Sequence, residues 1–196
     1  MIGPDPAHPA APDRRLPFLG DIGLTHGRGF VDWWIRWAEA RRYGSRSLEA
    51  EWNHAFLVVD VDGRAIVEAT GGGVRRASID QYMLTPHMIL RPPYPSTAGS
   101  AIAAMEAMVG SRYGWLEIAC EGLAFLTQTR LRFGVAGEHI CSGAVSHAVA
   151  RAGIDMGDDE EWNSPADVLH VAREGRWLAW TWDVGARAYQ PTGLHP

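Results

Sequence analysis

The sequence predicts an α+β domain in which a small antiparallel sheet is packed by helices. Three observations predict it. Two β-rich runs flank a turn in "NHAFLVVDVDGRAIVEAT", the pattern of a hairpin. Several other segments repeat apolar residues at helical spacing. A cysteine, Cys141, stands at the start of one of these helical segments, after a glycine-containing stretch. At 196 residues, 46% hydrophobic and 21% charged, the chain has the size and composition of one domain with its own core.

Taken in order, residues 1–16 are rich in Pro and Ala and read as a flexible arm. The main domain is expected over 17–175, and a Trp-rich strand and tail over 176–196. A short strand enters the domain within Phe18 to Gly27. Phe30, Trp33, Trp34 and Trp37 recur at helical spacing, so a helix is expected over 30–42, stopped by Gly44. Residues 45–53 are polar and read as loop.

The hairpin carries the most information. A two-residue turn at Asp62-Gly63 would place His54 and Glu68 on opposite faces. A three-residue loop, Val61-Asp62-Gly63 with Gly63 in the left-handed position, pairs Asp60 with Arg64 instead. Phe56 then faces Glu68, and His54 lies one diagonal step away on the same face, at roughly 7–8 Å between Cα atoms. Both faces of these strands are apolar, so the sheet should be covered on two sides. "GGGVRRASIDQYM" reads as a glycine turn leading to a short edge strand or helical turn. The prolines ending "MILRPPYP" rule out a central strand there. A helix capped by Ser96 or Ser100 should end at Gly110, and a more apolar one is expected over 115–133. Ile140, Ala144, Val145, Ala148 and Val149 mark the buried face of the helix that Cys141 opens, with Gly153 ending it. Ser164 and Pro165 open a short helix as cap and first position. "RWLAWTWDV" closes the chain as a strand, with Trp180 and Trp182 on one face for docking onto the body or a partner.

Composition narrows function. A net charge of −5 without a basic block argues against nucleic acid as partner. All 18 basic residues are arginine, which discriminates no function. Cys120 and Cys141 are too few for a disulfide framework. No signal peptide is legible in "MIGPDPAHPAAPDRR" and no apolar run is long enough to span a membrane, so synthesis in the cytoplasm is expected. No cofactor or metal is expected: Gly71-Gly72-Gly73 lacks the Lys-Ser/Thr of a phosphate loop, and His139, Cys141 and His147 do not have tetrahedral ligand spacing.

A thiol at a helix N-terminus has its thiolate stabilised by the helix dipole and by free backbone N–H groups. A carboxylate inside an apolar strand needs a partner, and His54 on the adjoining strand would supply one. Cys141, His54 and Glu68 therefore combine as nucleophile, base and orienting carboxylate. Ser142, Tyr113 and Asn53 are the accompanying candidates for substrate or oxyanion contacts.

The order "GDIGLTH … NHAFLVV … GRAIVEATGGGV … GSRYGW … HICSGAV … SPADVL" resembles the permuted branch of the NlpC-type papain-like cysteine hydrolases, and is similar in layout to YiiX/YebB-like proteins. The resemblance covers residues 18–172. It aligns Gly20-Asp21 with the opening strand, His54 and Glu68 with base and carboxylate, Gly110 and Tyr113 with a Gly-x-x-Tyr helix end, and Cys141-Ser142 with the nucleophile. Gly143 and Ala144 stand where the usual form has Glu-Leu. The resemblance implies a papain-like fold and cleavage of a peptide amide in peptidoglycan. A tail-located virion protein would reconcile a wall substrate with the lack of a legible signal peptide, and Trp33, Trp37, Trp180 and Trp182 would then be assembly contacts. An intracellular thiol acyltransferase or lipid amidase, and a structural virion protein that keeps the fold without turnover, are the other classes open to this sequence.

Overall fold

The computed structural model describes residues 17–26, 36, 40–44, 47–94, 98–113, 138–139, 141–157 and 163–194. Seven strands form one antiparallel sheet: β1 (Ile22–Thr25), β2 (His54–Val58), β3 (Ala65–Thr70), β4 (Gly73–Ser78), β5 (His87–Arg91), β8 (Leu178–Asp183) and β9 (Ala188–Thr192). Their spatial order is β4-β3-β2-β1-β5-β8-β9. A parallel pair, β6 (Arg112–Tyr113) and β7 (Glu138–His139), forms a second, two-stranded sheet. Three α-helices have both ends among the described residues: α1 (Gly99–Ala107), α2 (Cys141–Ala150) and α3 (Pro165–Glu174). The fold is thus α+β, and no helix among the described residues is long and apolar enough to cross a membrane.

The β2–β3 hairpin has the register that the three-residue loop requires. Phe56 pairs with Glu68, Leu57 with Val67 and Val58 with Ile66. The Val59 N–H donates to the Ala65 carbonyl at 2.9 Å, and the Arg64 N–H to Asp60 Oδ1 at 2.8 Å. Gly63 adopts φ +69°, a left-handed conformation that glycine enters without strain. The next hairpin is tighter: Thr70 pairs with Gly73 across Gly71-Gly72, which sets Arg75 opposite Glu68.

Strand alternation divides the core in two. Leu24, Ala55, Leu57, Val67 and Leu90 face one side, where Ala144, Val145 and Ala148 of α2 and Leu169 of α3 pack on them. Phe56, Val58, Ile66 and Ile89 face the other side with Ile79 and Trp180. The sheet is therefore covered on both faces. Gly23, between Ile22 and Leu24, leaves space that the Phe56 ring fills: a Cβ there would lie 1.9 Å from the ring. Gly23→Ala should destabilise the protein by about 1–3 kcal/mol, the usual range for overpacking, and a chemical denaturation midpoint will show it.

The structure corrects three expectations. β5 is an interior strand, between β1 and β8; Pro92 and Pro93 end it after Arg91 rather than displacing it to an edge. Ser100 lies inside α1, whose N-cap position is Ala98, with no side-chain cap; Ser96 is outside the described residues. The C-terminal strand is not the last, since β9 follows it and pairs from Ala179↔Thr192 to Asp183↔Ala188. β8 pairs with β5 as part of the same sheet. Trp180 is buried in the second core, and Trp182 donates its Nε1–H to the Met83 carbonyl at 3.0 Å while stacking on His87.

α3 starts as its sequence indicates. Ser164 and Asp167 form a reciprocal capping box, and Pro165 fills the first turn. Of the helix expected over 30–42, residues 36 and 40–42 are described and helical, and Gly44 follows at φ +98°. Trp33, Trp34, Trp37, the arm 1–16, Cys120 and the helix expected over 115–133 lie outside the described residues.

Candidate active site

The candidate site is built at one end of the sheet. His54 is the first residue of β2. Its neighbours Ala55 and Leu57 face the core that holds Cys141, whereas Phe56 faces the other core. Standing at the strand's end, His54 can reach across that division. Its Nε2 lies 2.8 Å from Glu68 Oε2, and the Cys141 thiol is the other ionisable neighbour that acts on its ring. Because Glu68 occupies Nε2, Nδ1 is the ring nitrogen left for the thiol. The imidazole is 12% exposed and the carboxylate 0%.

Cys141 begins α2 and is buried in the same core as Ala55 and Leu57. The backbone N–H groups of Ala55 and Ser142 lie on the side of its sulfur and favour its ionised form. Of the segment that delivers it, the backbone at residue 139 pairs with Tyr113, and the Val74 N–H on β4 donates to the Ser111 carbonyl at 3.0 Å. The chain before Cys141 is thereby tied through β6 to the far edge of the main sheet.

Glu68 is the most heavily bonded side chain of the group. Oε2 accepts from His54 and from the Tyr82 hydroxyl. Oε1 accepts from Arg75 Nε at 3.1 Å, Arg75 Nη2 at 2.8 Å and Gln81 Nε2 at 3.1 Å. Tyr82 stacks on Phe56 at 5.3 Å and 2°, so the Gly23–Phe56 packing also supports the carboxylate. Gln81 and Tyr82 belong to a 3-10 turn, Ile79–Tyr82, whose start is capped by Ser78.

The electrostatics follow from these contacts. Burial alone would raise the Cys141 thiol, but the bond and charge of His54, with the Ala55 and Ser142 N–H groups, hold it below its ordinary value. Burial alone would lower His54, yet Cys141 and Glu68 outweigh it and raise the imidazole to about 10. Burial opposes ionisation of Glu68 as well; His54, then Tyr82 and Arg75, bring it down to about 2. Burial and the facing carboxylate push the Tyr82 phenol up. An imidazolium between two anions, a thiolate and a carboxylate, is the protonation state these contacts favour. Such a thiolate is a nucleophile at neutral pH.

His54, Glu68 and Cys141 are thus brought together. Of the accompanying candidates, Ser142 is 1% exposed and its N–H favours the ionised sulfur. Asn53 is 1% exposed and its N–H donates to the Thr25 carbonyl at 3.3 Å. Tyr113 sits in β6, and its side chain lies outside what is described. Arg75, Gln81 and Tyr82 were not among the sequence candidates. Arg75 could have been, since the Gly71-Gly72 turn alone fixes its register against Glu68. Among the described residues no group of three or more His, Cys, Asp or Glu side chains is arranged so that it could hold a metal ion. The chain matches no family model, and no curated protein sequence matches it.

Proposed function

We propose that the protein is a cysteine-dependent amide hydrolase of the papain-like type, related in layout to the permuted NlpC branch, with a peptide amide of bacterial peptidoglycan as substrate. One observation carries the reading: a thiol at the start of a buried helix lies under the influence of an imidazole that is bound, 2.8 Å away, to a fully buried carboxylate. In the reaction the Cys141 thiolate attacks the amide carbonyl carbon, and the carbonyl oxygen takes the negative charge. Backbone N–H groups at the start of α2 stabilise that oxyanion. The His54 imidazolium gives its proton to the departing amine as the C–N bond breaks, leaving a thioester. Neutral His54 then takes a proton from water, whose oxygen attacks the thioester carbonyl. The acid departs, the thiolate returns, and His54 is again protonated. Glu68 holds the ring orientation throughout. Carriage in a phage tail is the setting that we propose for a wall substrate.

Purified protein incubated with peptidoglycan should release new amino groups, and iodoacetamide should label Cys141 faster than Cys120 at neutral pH. Turnover of short-chain esters or lipid amides alone would assign it to the acyltransferase class. No turnover on any of these, with equal slow labelling of both thiols, would leave the structural virion reading.

A further inference from the structure

Glu68 sits between His54 and a cation that the triad as such does not require. Arg75 stands directly opposite Glu68 in the β3–β4 ladder and places two nitrogens on Oε1, at 3.1 and 2.8 Å. Gln81 closes the arrangement. Its Nε2 donates to the same oxygen at 3.1 Å, and its Oε1 accepts from Arg75 Nη2 at 3.4 Å. Three donors thus hold Oε1, and Oε2 is left to His54 and Tyr82. A carboxylate fixed at one oxygen cannot turn its other oxygen away from the imidazole. The Arg75 side chain is 55% exposed, against 0% for that of Glu68, so a surface arginine holds a buried carboxylate.

We propose that Arg75 is a positioning residue for Cys141, acting through Glu68: its guanidinium, with Gln81, pins one carboxylate oxygen so that the other stays ionised and aimed at His54. The inference rests on the hydrolase reading for its purpose, although its test needs no substrate. Every group facing Glu68 enters the argument: His54 from β2, Arg75 from β4, Gln81 and Tyr82 from the 3-10 turn, and beyond His54 the thiol of α2. Arg75 cancels the buried negative charge, so the carboxylate can remain ionised without solvent. Loss of that cation makes protonation of Glu68 easier, which weakens the imidazolium and with it the thiolate.

The experiment is the pH dependence of Cys141 alkylation by iodoacetamide in the full chain. In Arg75→Gln the acid limb of the profile should move to higher pH, and below the limb the rate should fall about tenfold, the equivalent of one pKa unit. Arg75→Lys, which keeps charge but not the fork, should lie between Arg75→Gln and the parent protein, and it carries the test if Arg75→Gln fails to fold. Because Arg75 acts through Glu68, adding Arg75→Gln to Glu68→Gln should change nothing further. Superimposable parent and Arg75→Gln profiles would overturn the proposal, as would losses that add in the double variant. A parent protein whose Cys141 reacts no faster than a free thiol would instead overturn the hydrolase reading itself. A reactive parent with an indifferent Arg75→Gln would remove only the positioning role.

Discussion

Replacing Cys141 with serine should lower amide turnover by roughly 10⁴-fold or more while leaving the melting temperature almost unchanged. The side chain is buried in the larger core, and oxygen for sulfur is a small change of volume. The chemical change is large. The contacts that hold the thiol below its ordinary value cannot bring a serine hydroxyl, far less acidic, into its ionised form at neutral pH. The pH profile of the parent protein follows from the same contacts. The reactive pair requires an ionised thiol and a protonated imidazole. kcat/KM should therefore rise through a limb below the roughly 8.5 of a free thiol and fall near the value of about 10 held by His54. These two steps belong to the pair rather than to either residue. His54→Ala should remove the alkaline limb and shift the acid one upward, because burial then acts on the thiol without its partner. A rate profile unaffected by His54→Ala would show that the imidazole takes no part.

The parts of this site nearest in sequence to a turn were the most legible. Once Gly63 is assigned the left-handed position of a three-residue loop, pairing of Phe56 with Glu68 follows, and so does the diagonal approach of His54. The apolar residues on both faces of 54–58 and 65–70 likewise indicated a sheet covered on two sides. Legibility faded where tertiary contact decides the outcome. Arg75 lay within reach of a register argument, but "GGGVRRAS" has little β-propensity beyond Val74, and exposed edge strands need little of it. Gln81 and Tyr82 come to Glu68 through the 3-10 turn, whose direction is set by the Ser78 cap and the burial of Ile79, and no spacing rule reports that. Pro92 and Pro93 do not exclude a central strand before them, because proline just past a strand costs no ladder hydrogen bond. β9 is not legible in the sequence because Tyr189 and Pro191 show no clear alternation; it is held by pairing with β8 and by the Tyr189 hydroxyl, 2.9 Å from His87 Nε2.

Removing the carboxylate tests stability and chemistry together, and the two variants Glu68→Ala and Glu68→Gln should separate them. In Glu68→Ala the Tyr82 hydroxyl, the Gln81 amide and His54 all lose a buried acceptor, and Arg75 loses its counter-charge. Breaking such a buried set costs about 3–5 kcal/mol, enough to consume much of the stability of a domain this size. Glu68→Gln keeps the shape and one acceptor oxygen, so the fold should survive while kcat falls by about 10²-fold, the scale of a lost acid–base contribution. The sign of the pH effect on stability is fixed as well. Glu68 is depressed from 4.5 to about 2 in the folded protein, so its contribution is complete above the unfolded value and is lost as pH falls from there through about 2. Denaturation of the parent and of Glu68→Gln at pH 7 should therefore differ clearly, and the difference should shrink as the pH is lowered from about 5 towards 2. A gap that stays constant across that range would mean that the carboxylate is not held ionised by its neighbours, and that the triad lacks the anion on which its imidazolium depends.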